Sequence, residues 1–318
     1  MKFAIKIFVA SLLVVGTNQL LSQHYLQSAV SRSAMLRLDE AAHAYPRPVT
    51  TVFVGDSHMG RAIDPREFGR EAFSLWSPGQ CFIRSHYRLQ DFMDASDHAV
   101  ERVILSVSLH SFREARVRRI TILPWLKYIP FGEVNAAFDL PADFAWTRAR
   151  AALFPYAGHF EDHFLMREED VSVEDVIDAQ GALPHKPVPA PSEWTQDMAL
   201  ARLALQFESG PEALSEGYAA YLARTVALAR TRGASVYLVT TPVTKAYWEE
   251  ARLLVALEEF YAIIGAQSGA THLDYHDLYF DRPELFRDPD HLNEAGSIEF
   301  AKLLKEDMEA IAARQSAE

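Results

Sequence analysis

Thr50-Thr51-Val52-Phe53-Val54-Gly55-Asp56-Ser57-His58 is the stretch on which the fold turns. Its first half is β-branched and apolar with no polar alternation, the pattern of a strand covered on both faces. Gly55 closes the run and permits a tight backbone turn. A serine on such a turn, between a buried strand and a helix, presents its hydroxyl above the sheet. Gly, Asp and Ser also dominate ordinary turns, so the tripeptide assigns nothing by itself.

Working outward, residues 72–76 form a second apolar run, stopped by Ser77-Pro78-Gly79. Further strands are predicted over 102–108 and 233–240, with a shorter one over 271–275. Helical patterns fill 82–93, 212–232, 248–268 and 294–312. Strands alternating with helices imply an α/β fold with a parallel sheet covered on both faces. Ligands in such sheets lie beyond the carboxyl ends of the strands. Near the end of the chain stands Phe286-Arg287-Asp288-Pro289-Asp290-His291-Leu292-Asn293-Glu294-Ala295-Gly296. A serine needs a base to become nucleophilic, and neutral imidazole suits that role. Asp288, three residues before His291, is placed to hold the other ring nitrogen and to stabilise the imidazolium that forms. The plain alternative is that Asp288, Asp290 and Asn293 make turn and cap hydrogen bonds, with His291 at the surface.

Together the two clusters resemble the SGNH (GDSL-like) hydrolase superfamily. Gly55-Asp56-Ser57 matches its nucleophile block, Asp288-x-x-His291 its C-terminal block, and Leu292-Asn293-x-x-Gly296 is a common companion. The likeness covers residues 50–312 apart from an insertion. It implies a flavodoxin-like three-layer α/β/α sandwich with Ser57 as nucleophile, His291 as base and Asp288 as orienting acid. The resemblance also places Gly79 as a backbone donor to an oxyanion hole. The family's third block ends on an Asn, where this chain has His110 in Ser108-Leu109-His110-Ser111. His110 either replaces that donor through a ring N–H or leaves the hole to the backbone of Ser57 and Gly79. Loss of one donor costs on the order of 100–1000-fold in rate.

The composition narrows the setting. The 318 residues carry 31 Lys plus Arg against 43 Asp plus Glu, a net charge of −12. That excludes nucleic acid as the expected partner, since phosphate contacts need a positive face. With 49% hydrophobic residues the chain has ample material for a core, and its single cysteine, Cys81, excludes a disulfide framework or a Cys-rich zinc site. Residues 1–22 bear Lys2 and Lys6 before the apolar run 7–15, and no acidic residue precedes Asp39. This reads as a signal anchor, with a cleaved signal peptide or a docked amphipathic helix as alternatives. The positive-inside rule then leaves the remainder exported and tethered to the inner membrane, in the periplasm. A polar stalk over 23–48 follows, then the hydrolase-like domain over 49–318.

Residues 113–200 interrupt that domain as a lid-like insertion. Arg113 and Arg116 open it just after His110 and are candidates for binding an anionic glycan. His159 and His163 stand four apart but lack the glutamate that a zincin motif needs, so a solvated helix face is the favoured reading. No metal and no cofactor is assigned. Trp76, Trp125 and Trp248 are candidates for stacking on sugar rings, with buried packing as the default.

The anchor, the His after Ser57 and the missing Asn resemble the branch of SGNH-like proteins that add or remove acyl groups on envelope glycans. That implies a polysaccharide substrate and, for transfer, an integral membrane acyltransferase as acyl donor. The expected function is serine-dependent acyl-ester chemistry through a Ser57 acyl-enzyme, either O-acetyl transfer or hydrolysis. A small-substrate carboxylesterase or lipase is one alternative. A catalytically silent glycan-binding or assembly subunit is the other.

Overall fold

The computed structural model describes residues 2–25, 34–95, 98–112, 172–182, 191–207 and 214–315. Arg113, Arg116, Trp125, His159, His163 and most of the expected lid lie outside them. The chain divides into two compact units, Met1–Glu40 with Thr121–Val173 and Ala41–Ile120 with Glu174–Glu318.

In the first unit, α1 (Lys2–Tyr25) is a continuous helix that leaves Leu12, Leu13, Val14, Val15 and Leu20 exposed. Among the described residues no helix is long and apolar enough to cross a membrane. The sequence shows why the run is limited, with Lys2 and Lys6 before it and Thr17-Asn18-Gln19 after it. A second helix, α2, spans Ala34–Ala44.

The second unit holds the sheet. Its first half runs β1 (Thr51–Gly55), α3 (Ser57–Ala62), β2 (Ala72–Trp76), α4 (Phe82–Ala95) and β3 (Arg102–Ser106). After β3 come α5 (Val173–Asp178), α6 (Gln196–Gln206), α7 (Glu216–Thr231) and β4 (Ser235–Thr240). The last part is α8 (Lys245–Ala251), α9 (Leu257–Gly265), β5 (Ala270–Asp274), β6 (Phe286–Asp288), β7 (His291–Leu292) and α10 (Glu294–Gln315).

Five parallel strands pair in the order β2-β1-β3-β4-β5. This is the doubly wound, flavodoxin-like order, with helices flanking the sheet. Every residue of β1 and β2 is buried, as the unbroken apolar runs require of strands covered twice. On one face Phe53, Ile104 and Tyr237 meet Phe300, Leu304 and Met308 of α10 in a single core cluster. Over the other face α4 and α7 pack on one another and on β1 and β4. Each large apolar side chain fully buried in this way contributes about 1.5–3 kcal/mol.

One predicted helix is two. Within 248–268 the chain breaks between α8 and α9, leaving Leu253 exposed and Val255 buried. Tyr247 with Ala251, and Phe260 with Ile264, are each buried pairs four residues apart. In one unbroken helix Phe260 would point about 140° away from Tyr247. The break lets both pairs turn inward.

Because β1 lies between β2 and β3, the chain leaves β1 in one direction and later returns on the other side. The carboxyl ends of β1 and β3 therefore flank the topological switch point, where a crevice forms.

Candidate active site

The turn after β1 is shaped by two close approaches. A Cβ on Gly55 would lie 2.1 Å from the Ser106 hydroxyl of β3, so only glycine lets the strands sit this close. Asp56 then caps α3, its Oδ1 accepting from the His58 N–H at 3.0 Å. Ser57 is thereby fixed as the first residue of the helix.

The Asp288–His291 cluster arrives on a hairpin. Strands β6 and β7 are antiparallel, with Asp288 paired to His291 and only Pro289 and Asp290 between them. Residues flanking a two-residue loop are direct cross-strand neighbours, which is why an Asp-x-x-His spacing brings carboxylate and imidazole together. Neither Pro289 nor Asp290 has a positive φ, and Pro289, with its φ fixed at about −65°, keeps this loop out of the primed turns usual for two-residue hairpins. Its carbonyl accepts from the Thr244 N–H at 3.0 Å and the Thr244 hydroxyl at 2.8 Å, pinning the loop to the segment after β4. Asn293 takes the cap of α10, accepting from the Gly296 N–H at 3.0 Å. A Cβ on Gly296 would stand 2.4 Å from the Leu285 carbonyl oxygen, which accounts for the glycine in Leu292-Asn293-x-x-Gly296.

These two pieces place the Ser57 Oγ 2.9 Å from Nε2 of His291. Nδ1 of His291 lies 2.9 and 3.0 Å from the two oxygens of Asp288. With Nδ1–H donating to Asp288, Nε2 is left to accept the serine proton, which is the arrangement a general base needs.

Two more imidazole–carboxylate pairs stand behind the first. The His58 Nε2–H donates to Asp290 Oδ2 at 2.9 Å, and His110 Nε2 lies 3.0 Å from Asp56 Oδ2. All four of these side chains are at most 1% exposed. The three rings form a row, with centroids 4.3 Å apart from His110 to His58 and 5.1 Å from His58 to His291. On its far side His58 Nδ1 meets the Ser108 hydroxyl at 3.3 Å and the Thr241 hydroxyl at 3.4 Å. His110, weighed as a substitute oxyanion donor, therefore has Nε2 engaged with Asp56, and its ring lies behind that of His58 at a tilt of 49°. That nitrogen ties His110 to the turn after β1 instead.

Asp290 has no exposed surface. It accepts from Arg202 Nε at 2.5 Å, Gln206 Nε2 at 2.6 Å and His58, and the Tyr247 hydroxyl donates to the Gln206 carbonyl oxygen at 2.5 Å. Burial would push its carboxyl up, but His291, His58 and Arg202 together hold it well below the usual carboxylate range. Burial likewise opposes the charge on Arg202, and Asp290 outweighs it, so the guanidinium is held more firmly protonated than usual. His58, Asp290 and His291 have potential ligand atoms within 4.8 Å of one another. Asp288, Arg202 and Gln206 already engage His291 and Asp290, and a cation would sit against the guanidinium. The set fits an acid–base relay better than a metal centre.

The other candidates resolve as follows. Gly79 lies in the turn after β2 at φ +63°, where an added Cβ would meet nothing, and this turn is tied to β1 by Ser77 N–H donating to the Gly55 carbonyl at 3.1 Å. Trp76 is buried, with its indole N–H on the Gly181 carbonyl at 3.1 Å. Trp248 stacks on His276 at 3.8 Å. Cys81 is a buried free thiol. A separate cleft of about 500 Å³ is lined by Trp194, Tyr279 and Phe280 together with Glu193 and Glu249, and shares Thr244 and Phe286 with the elements that hold the hairpin.

Sequence reading missed Arg202 and Gln206 because they sit 88 and 84 positions from Asp290, just past the end of the expected insertion. No spacing signals such a contact. It also gave Asp290 only a turn role and left His58 without a partner.

No protein-family model matches the chain, and no curated protein sequence matches it. Among solved structures it is similar to a "putative platelet activating factor" from Streptococcus pneumonia, at 13% identity and a TM-score of 0.41, covering 91% of this chain and 96% of that one. It is also similar to a "putative acylhydrolase" from Bacteroides fragilis, at 12% identity and a TM-score of 0.40, covering 86% of this chain and 96% of that one. Likeness at this level assigns neither family nor activity.

Proposed function

We propose that the chain is a serine-dependent acyl-ester enzyme of the SGNH type, with Ser57 as nucleophile, His291 as general base and acid, and Asp288 as the orienting carboxylate. The observation that carries this reading is the continuous Ser57–His291–Asp288 relay, with 2.9 Å at each junction. In it, Ser57 Oγ bonds to the ester carbonyl carbon while its proton passes to Nε2 of His291. The backbone N–H groups of Ser57 and Gly79 are the donors assigned to the developing oxyanion. Collapse breaks the ester C–O bond, and His291 returns the proton to the leaving alkoxide. A water or a sugar hydroxyl then repeats the sequence on the Ser57 ester, giving hydrolysis or transfer.

The substrate class in this reading is an O-acetylated cell-envelope polysaccharide. It is supported by the cleft beside the hairpin, whose partly exposed Trp194 and Phe280 suit the apolar faces of sugar rings. The envelope setting rests on Lys2 and Lys6 ahead of an exposed apolar stretch in α1. An integral membrane acyltransferase as donor, and Arg113 and Arg116 as anion contacts, belong to the same proposal.

Labelling with a fluorophosphonate probe tests the chemistry. The native chain is expected to label, and Ser57→Ala and His291→Ala to lose at least about 100-fold in labelling rate. Equal labelling of all three chains would overturn the assignment of Ser57. Incubation with an acetylated oligosaccharide, with and without a second oligosaccharide as acceptor, separates release of acetate from its transfer.

A further inference from the structure

His291 is faced by two carboxylates, and they differ in kind. Asp288 makes the hydrogen bonds to Nδ1, but its side chain is 30% exposed and its charge is partly screened by water. Asp290 Oδ1 stands 3.4 Å from the same nitrogen with no exposure at all. In a medium of low dielectric its field on the imidazole is the less attenuated of the two. A cation opposes it, since Nη2 of Arg202 lies 3.3 Å from His291 Nδ1 while its Nε holds Asp290. With the Nδ1 proton on Asp288, that approach is a contact between two donors, unfavourable to any further positive charge on the ring.

We propose that Asp290 and Arg202 are a pair of opposed positioning residues which set the basicity of His291: the buried carboxylate favours the imidazolium and the guanidinium disfavours it. The inference rests on the reading of His291 as the base for Ser57. His58 and Gln206 complete the device by donating to Asp290 Oδ2, which fixes the carboxylate plane and leaves Oδ1 for Arg202 and His291. The remaining charged groups are arranged around this pair. From the hairpin, Arg287 Nε lies 3.7 Å from Asp288 Oδ2. From α3, His58 presents its ring 5.1 Å from that of His291, and Arg61 interacts with Asp288 and Arg287. Beyond His58, the His110–Asp56 pair is fully buried.

A second Ser–His–Asp sequence, Ser108–His58–Asp290, ends on the buried carboxylate and not on Asp288. Its serine contact is 3.3 Å and its serine is 5% exposed, so it serves to hold Asp290 and not to attack a substrate.

The test is the pH dependence of fluorophosphonate inactivation of the full chain, whose acidic limb reports protonation of His291 and needs no natural substrate. Asp290→Asn removes the anion and is expected to move that limb to lower pH by about half a unit or more. Arg202→Gln removes the cation and is expected to move it by a similar amount to higher pH. Loss of structural support alone would not give opposite signs. Limbs that shift together, or that stay within about 0.2 units of native, overturn the proposal. If Asp290→Asn does not fold, Arg202→Gln decides alone, a limb that rises supporting the proposal and one that falls or stays overturning it. A failure of the base assignment is distinguishable, because His291→Ala would then label as fast as the native chain.

Discussion

A carboxylate cut off from solvent stays ionised only where its neighbours replace the water, and three donors surround Asp290. Its folded-state pKa lies well below that of the unfolded chain. By linkage, the stability it contributes is fully present above the ordinary carboxylate pKa of about 3.9 and is lost as pH falls through the folded value. Asp290→Asn is therefore expected to lower stability at neutral pH by roughly 3–5 kcal/mol, the cost of breaking a buried pair. It should also flatten the decline in acid, and urea midpoints measured between neutral and acidic pH check both effects. Asp288 carries a different expectation. Because Asp290 still faces Nδ1, Asp288→Asn should slow labelling by less than His291→Ala does; a loss equal to that of His291→Ala would show Asp288 acting without a second carboxylate.

Among the elements, the β6–β7 hairpin and the cap of α10 make one unit. Asn293 closes the helix, and Gly296 lets the Leu285 carbonyl pass close by. Asn293→Ala is expected to cost about 1 kcal/mol as a lost cap. Gly296→Ala, with backbone in its way, should cost about 1–3 kcal/mol as overpacking. Denaturant melts measure both, and labelling should fall in proportion to any displacement of His291. The Asp-x-x-His spacing, the cap at Asn293 and the glycine at 296 were legible in the sequence, because each acts within a few positions. The hairpin that carries them was not, since strands of three and two residues leave no periodic pattern. The five strands were legible for a like reason, their apolar runs being written continuously along the chain. The break between α8 and α9 was not, since both halves are apolar at helical spacing and only the sheet beneath decides which face turns inward. Arg202 was hidden for a stronger reason. Its helix has an ordinary surface pattern, and its partner is fixed by tertiary placement, not by spacing.

For the molecule as a whole, a net charge of −12 acts on anything that approaches. An anionic ester is expected to be met slowly at low ionic strength and faster as salt screens the repulsion, while a neutral ester is unaffected. Comparing kcat/KM for such a pair of esters across salt concentrations checks this; identical salt dependence would mean that the local charge at the site mouth overrides the overall one. Composition made that charge legible, but said nothing of where the relay would assemble. Ser57 and His291 stand 234 positions apart in the chain. During synthesis the nucleophile emerges long before its base, and a partly made chain holds a serine no more reactive than any other. Under the proposed reading, Ser57 gains its base only when the late hairpin docks against the turn after the first strand, so a chain truncated before residue 286 is expected to hold an unreactive serine.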